Sequence, residues 1–367
     1  MENIVISFCI TTYNQLNFVK SCIESIIPYK GNDIEIIVSD DGSTEDIGGL
    51  INSFNDTRIK FFKNQKNLGH DLNIINSFEK AKGEYAFLLR TRDQVIPDTI
   101  PHIIDFIKKH NNCSYITGNA LDEKGFVRYS YNKEIIEQGP DTIHAHFNLY
   151  IHPSGSLYSL RKLRVQELKK FLQENIENKQ AFVAHSMMRI QLAETGDFGF
   201  ISQPMWRYIE PSEKDIAYNK AKGNVSVYDP LFLRQRFSYE IRWVKLISSN
   251  ENYKYLVTNI FNNYLKATTW VFYFWNKNSK LQKHYSYKER PFSVKNEEKE
   301  FKIYSYNLIK ECFGDSFMKL IKNDLEKKIR INRFFGWEKT YIQTILQDSM
   351  MYIFVRKIYR KIINSKL

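Results

Sequence analysis

Two kinds of segment alternate along the first third of the chain. The runs "NIVISFCI", "IEIIVSD", "IKFF", "YAFLL" and "CSYITG" are short, β-branched and aromatic, the pattern of strands buried on both faces. Between them, "LNFVKSCIESII", "TEDIGGLINSF", "DLNIINSFEKA" and "DTIPHIIDFIKKH" repeat apolar residues every three or four positions, as helices with one buried face do. Strand and helix in strict alternation imply right-handed crossovers. The expected fold is therefore α/β, a Rossmann-like, mostly parallel sheet with helices on both faces. Ligands in such sheets bind beyond the C-terminal ends of the strands. That rule gathers "TTYN", "SDDGST" and "RTRD" along one rim.

The pattern then changes. A looser stretch, "DTIHAHFNLYIHPSGSLYS", precedes a helical segment through "SMMRIQLAETG". The mixture of Pro, Gly, Ser and charge from Tyr208 to Pro230 reads as a flexible boundary, giving a first domain over 1–225 and a second over 226–367. The second is read as helices rich in Lys, Tyr and Phe. Its most apolar run, Thr268 to Trp275, is far shorter than the roughly 20 residues a membrane-spanning helix needs. Over 349–367 a cationic amphipathic helix is expected. Met351, Val355, Ile358 and Ile362 share a face widened by Tyr352, Tyr359 and Ile363, with Arg356, Lys357, Arg360 and Lys361 opposite and Ile353 out of place. Such a helix suits an anionic inner leaflet, the preceding helices, or a second copy of the chain in a homodimer.

Charge narrows the partners. A formal net charge of +12 over 367 residues calls for an anionic partner: nucleic acid, a phosphorylated ligand or an acidic membrane. An aromatic content of 15% excludes a disordered basic tail. Nucleic acid is set aside because the basic residues are not interleaved with an aromatic single-strand platform. Four cysteines without CxxC spacing suggest neither a disulfide framework nor a zinc site, and reduced thiols in a cytosolic protein are expected. "MENIVISFCITTYN" shows no signal-peptide pattern. The expected location is cytoplasmic, peripheral on the inner face of the membrane.

"SFCITTYNQLNFVKSCIESI", "EIIVSDDGSTED" and "NLGHDLNIINSFEKAKGEYAFLL", in that order and spacing, resemble family 2 glycosyltransferases with the GT-A fold. The resemblance covers about the first 120 residues and continues more weakly to about 210. It implies an inverting transfer of a sugar from a nucleotide-sugar donor to a saccharide or lipid-linked saccharide acceptor. The bacterial surface-glycan setting comes from the resemblance and from a composition rich in Asn, Lys and Ile. Within it, Thr12 and Tyr13 would pack the nucleoside. Asp40 and Asp41 would bind base or ribose, with Asp41, the acid before Gly42, favoured; capping a helix that starts near Thr44 is the alternative for both. Lys66 and His70 would reach a phosphate, with exposed polar loop residues the alternative reading for both. Ser154, Gly155 and Ser156, in "HPSGSLYS", would form a turn with its amides toward the site.

One loop departs from the family. Its members carry Asp-x-Asp, often with a further acid, to hold a divalent cation against the donor diphosphate. Those acids would fall at 90, 92 and 93, or at 91, 92 and 93; here the residues are Arg90, Thr91, Arg92 and Asp93. Guanidinium groups repel a cation and grip phosphate by fixed, charge-assisted hydrogen bonds. Arg90 and Arg92 are therefore expected to replace Mg²⁺ or Mn²⁺, with Asp93 orienting an arginine or meeting the sugar, and no metal or other cofactor is expected. The family's general base belongs to a Glu-Asp pair on a later helix; here Ala184 and His185 occupy those positions. His185 has the intrinsic pKa of a base, with Glu194 and Asp197 as fallback acids. The missing acids also leave open a catalytically inactive, nucleotide-binding or scaffolding GT-A-like subunit.

Overall fold

The structure, a computed structural model, describes residues 4–129, 131, 133–148, 152–176, 181–210, 230–249, 251–277 and 294–346. The chain divides into two compact units, Met1–Glu210 and Pro211–Leu367. The division falls inside the expected boundary segment, earlier than residue 225. The expected amphipathic helix at 349–367 lies outside the described residues, as does most of that boundary segment.

In the first unit the chain runs through β1 (Ile6–Thr12), α1 (Leu16–Glu24), β2 (Ile34–Asp40), α2 (Ile47–Ser53), β3 (Ile59–Lys63), α3 (His70–Lys80) and β4 (Tyr85–Arg90). It continues with β5 (Gln94–Val95), α4 (Ile100–Lys109), β6 (Cys113–Leu121), β7 (Ile135–Ile136), α5 (Pro140–Asn148) and β8 (Ser156–Ser159). The unit closes with α6 (Val165–Asn175), α7 (Ala184–Leu192) and β9 (Asp197–Arg207). One sheet follows the order β3-β2-β1-β4-β8-β6-β9-β5, with β7 also on β9. Its first four strands are parallel. Beyond them β8 joins antiparallel to both β4 and β6, and β6 runs parallel to β9.

The apolar runs that predict strands are the ones buried on both faces. Every residue of β2 is buried, and β1 is buried except Thr11. Their helices contribute one stripe each: Val19, Cys22 and Ile23 from α1, and Ile100, Ile103, Ile104, Phe106 and Ile107 from α4. Each such side chain, once buried, contributes about 1.5–3 kcal/mol. Helix α2 begins at Ile47, later than expected, because Asp46 caps it by accepting the Gly49 N–H at 2.8 Å. Register then builds the rim. Thr12 pairs with Asp40, Asp40 with Lys63, and Thr11 with Arg90, so polar residues from four strands end side by side.

The second unit is helical: α8 (Pro230–Ile247), α9 (Tyr253–Lys277) and α10 (Val294–Leu346), the last broken at Gly314, whose φ is 86°. Phe237, Phe261 and Phe301 pack together at its centre, with ring centroids 5.3 and 5.6 Å apart. Arg234 pairs with Glu297 at 2.7 Å. Among the described residues no helix is long and apolar enough to cross a membrane. All four cysteines are free, three of them buried.

Candidate active site

At the ends of β1 and β2 two loops lock together. The Ser43 hydroxyl accepts the Asn14 N–H at 2.8 Å, and Asn14, at φ 52°, returns its side-chain oxygen to the Thr44 N–H at 2.8 Å. Tyr13 is left 40% exposed on this rim, the posture of a ring that can meet a ligand rather than fill a core. The two neighbouring aspartates do different work. Asp41 accepts from the Leu68 N–H (2.8 Å), the Gly69 N–H (2.9 Å) and the Asn64 side chain (3.0 Å). Those bonds tie the loop leading into α3 and place a carboxylate at that helix's positive end. Burial pushes the Asp41 carboxyl up, against the pull of these donors.

Asp40 is arranged otherwise. Its Oδ1 accepts from the Ser43 N–H (3.0 Å) and hydroxyl, whereas Oδ2 is buried, makes no hydrogen bond and lies 3.8 Å from the Lys63 ammonium. Across the strand pair the buried Thr12 hydroxyl is also without a hydrogen bond. A buried acceptor and a buried hydroxyl at paired strand ends are the groups a ligand would satisfy. Of the two carboxylates, Asp40 is the one that keeps a buried oxygen without a hydrogen bond. Neither caps a helix at Thr44.

Beside them β4 ends in Arg90. Its guanidinium grips Asp93 through both oxygens, Nε at 2.8 Å and Nη2 at 2.7 Å, and lies 4.8 Å from the centre of the Tyr208 ring. Asp93 is fully buried and also accepts the Ile209 N–H at 3.2 Å. Burial alone would make Arg90 easier to deprotonate; the Asp93 carboxylate outweighs that and holds its pKa above the ordinary value. Asp93 therefore orients an arginine, one of the two roles expected of it. The Arg92 guanidinium carbon sits 5.0 Å from the Phe18 ring on α1.

The turn at Ser154 and Gly155 is scaffold. Its amides do not face the rim: the Ser154 N–H donates to His152 Nδ1 at 3.1 Å, and the Gly155 N–H to the Leu88 carbonyl at 2.8 Å. The Ser154 hydroxyl accepts the Arg90 N–H at 3.1 Å, so the turn fixes the end of β4. Gly155 is at φ +79°, and a Cβ there would strike the Trp206 indole.

His185 lies in the first turn of α7, whose start is held from α3: Asp71 Oδ1 accepts the N–H groups of Val183 and Ala184, each at 2.8 Å. His70 Nδ1 is 3.7 Å from the same oxygen, and its ring lies 4.8 Å from Phe182. His70 thus belongs to this junction, while Lys66 stays exposed on its loop. Of the fallback acids, Asp197 accepts the Gln138 N–H at 2.9 Å, and Glu194 offers its backbone carbonyl to the Gln138 side chain.

The glycosyl transferase family 2 model matches residues 7–194, half of the chain, a span that holds Thr12, Asp40, Asp41, the Arg90–Asp93 loop and α7. The chain belongs to glycosyltransferase family 2. It is similar to a GalNAc(5)-diNAcBac-PP-undecaprenol beta-1,3-glucosyltransferase of Campylobacter jejuni, with 27% identity across 50% of this chain and 63% of that protein. It is also similar to the abequosyltransferase RfbV of Salmonella typhimurium, with 33% identity across 26% of this chain and 30% of that one. The chain thus spans less than two thirds of either relative. Among solved structures, S. aureus TarS 1-349 in complex with UDP-GlcNAc superimposes with a TM-score of 0.50 at 11% identity, covering 84% of this chain and 91% of that one. That likeness shows the GT-A fold.

Within this family 2 frame the structure adds a cluster that the sequence patterns did not single out. Arg128, whose N–H donates to the Ala120 carbonyl of β6 at 2.8 Å, has its guanidinium 3.9 Å from the Tyr208 ring and 3.1 Å from Glu210. His152 lies 5.3 Å from Tyr208 and 5.7 Å from Trp206. Burial, and then the charges of Arg90 and Arg128, push the His152 pKa down to about 3, so the imidazole is neutral. These residues come from distant stretches that only the β4-β8-β6-β9 pairing unites, so no spacing rule could have joined them. Asp71 was legible only as a polar residue at the start of a helix.

Proposed function

We propose that the chain transfers a sugar, with inversion, from a nucleotide-sugar donor to a glycan or lipid-linked acceptor in bacterial surface-polysaccharide synthesis, and does so without a divalent cation. The observation that carries this reading is the Arg90–Asp93 pair. The one acid of the Arg90–Asp93 loop gives both oxygens to Arg90, and the Thr91 hydroxyl is bonded to Gln15. This donor set does not fit Mg²⁺ or Mn²⁺. An arginine about 4 Å from a divalent ion would oppose it by about 8 kcal/mol at an effective dielectric near 20. The same arginines suit a diphosphate. Arg90, held by Asp93 yet keeping further N–H groups, gives fixed geometry; Arg92 adds a second guanidinium.

Donor class is supported by fold and family: TarS, the structural neighbour, carries UDP-GlcNAc, and the named relatives move sugars in bacterial systems. Asp40 and Thr12 offer the nucleoside an acceptor and a hydroxyl, Tyr13 an exposed ring, and His185 accepts the proton of the acceptor hydroxyl. The missing acids at 92 and 184 favour a second reading, a nucleotide-binding subunit without turnover. A thermal-shift panel of nucleoside diphosphates and their sugars, run in EDTA and in Mn²⁺, tests the first. A nucleotide sugar should stabilise the protein equally in both. Stabilisation confined to Mn²⁺ would defeat the metal-free reading, and binding without hydrolysis or transfer would favour the second.

A further inference from the structure

We propose that Asp71, on α3, is the positioning residue for His185, supplying from a different helix the carboxylate that α7 lacks. The proposal rests on the reading of His185 as the acceptor-activating base.

Asp71 is 4% exposed. Its Oδ1 is committed to the Val183 and Ala184 N–H groups, which fixes the first turn of α7, while its buried Oδ2 makes no hydrogen bond. A buried carboxylate in that state is costly unless positive charge stands near. The His70 ring stands 3.7 Å from Oδ1, and the turn that carries His185 begins on the amides Oδ1 holds. Burial would push the Asp71 carboxyl up, but His70, the Ala184 N–H and His185 overcome it and hold the group below the ordinary carboxylate range. Attraction is mutual: a carboxylate that is ionised beside His185 favours the imidazolium.

The other groups around α7 do not supply this charge. On the helix itself Arg189 turns its guanidinium to the Tyr115 ring of β6, 5.6 Å away. From α5, His146 is buried and held neutral, by burial first and then by Arg189. From β8, the buried Tyr158 phenol is held protonated. α6 buries Leu168, Phe171 and Leu172 and sends Lys169 to Glu79 of α3 at 2.6 Å, where the two charges cancel.

The step balances simply. The acceptor O–H bond breaks, its proton passes to an imidazole nitrogen of His185, and the acceptor oxygen bonds to the anomeric carbon. The bond from that carbon to the diphosphate breaks, and its electrons leave with the nucleoside diphosphate. The imidazolium then returns the proton to water. Asp71 touches no substrate; it sets the ring's position and proton affinity. A continuous chain links this device to the donor side, since Asp41 holds Gly69, Gly69 precedes His70, and Asp71 holds Ala184.

The test reads the His185 ring by NMR titration of the full chain, in wild type and in Asp71→Asn, which keeps an oxygen for the two amides but loses the charge. The His185 midpoint should fall by about one pH unit, a tenfold loss of proton affinity, and Asp71→Glu should restore it. An unmoved midpoint in folded Asp71→Asn would overturn the proposal. In turnover of the nucleotide sugar picked out by the thermal-shift panel, Asp71→Asn should lower kcat about tenfold, leave the donor KM unchanged and move the acid limb of the pH profile downward. If His185→Ala abolishes turnover while the midpoint ignores Asp71, the base reading stands and this proposal fails. If His185→Ala turns over normally, both fail.

Discussion

The pair Asp40 and Asp41 shows how adjacent, chemically identical residues divide labour. Asp41 spends its oxygens on three donors of its own chain, while Asp40 keeps one oxygen free of hydrogen bonds at the rim. Asp40→Asn should therefore weaken nucleotide binding about tenfold, a loss of about 1.4 kcal/mol, with little change in the urea midpoint. Asp41→Asn should cost about 1–3 kcal/mol of stability. Calorimetric titration beside urea denaturation separates them, and the reverse pattern would return the ligand role to Asp41. His152 makes a second residue-scale prediction. Its folded pKa of about 3 lies below the ordinary 6.5, so between those values the unfolded chain holds a proton that the folded chain refuses. Stability is then full above about pH 7 and falls on acidification by up to about 1.4 kcal/mol per unit. His152→Asn should flatten that slope in urea midpoints measured from pH 7 to 4; parallel slopes would contradict it.

At the scale of elements, the ends of β4 and β9 are joined through Asp93, which binds the Arg90 guanidinium and the Ile209 N–H. Asp93→Asn breaks a buried pair and should destabilise by about 3 kcal/mol, whereas a paired Arg90→Met, Asp93→Leu replacement should cost less. Equal losses in the two variants would place the effect elsewhere. The elements themselves were legible because β1, β2 and β4 are buried on both faces and α1 and α4 on one, and burial writes those periods into the chain. The rim was legible too, since strands must end where "TTYN", "SDDGST" and "RTRD" begin. What could not be read was that Asp41 is bonded to Asn64, Leu68 and Gly69, or that the Gly155 amide meets Leu88, because those partners lie tens of residues away. The antiparallel β8, inserted between β4 and β6, was hidden for the same reason: "SLYS" looks like any short strand.

At the scale of the whole molecule, a net charge of +12 fits the proposed diphosphate ligand. The helical second unit, with its own aromatic core, has no counterpart in the family match, which ends at residue 194. In the proposed mechanism, guanidinium groups do the work of the cation. This role is tested most directly by the rate of nucleotide-sugar turnover in EDTA, for wild type and for Arg92→Ala. Wild type should turn over in EDTA at the rate it shows with Mn²⁺, and Arg92→Ala should lose at least about 100-fold, the scale of one lost transition-state donor. Wild-type turnover that vanishes in EDTA and returns with Mn²⁺, or an Arg92→Ala variant as fast as wild type, would contradict it.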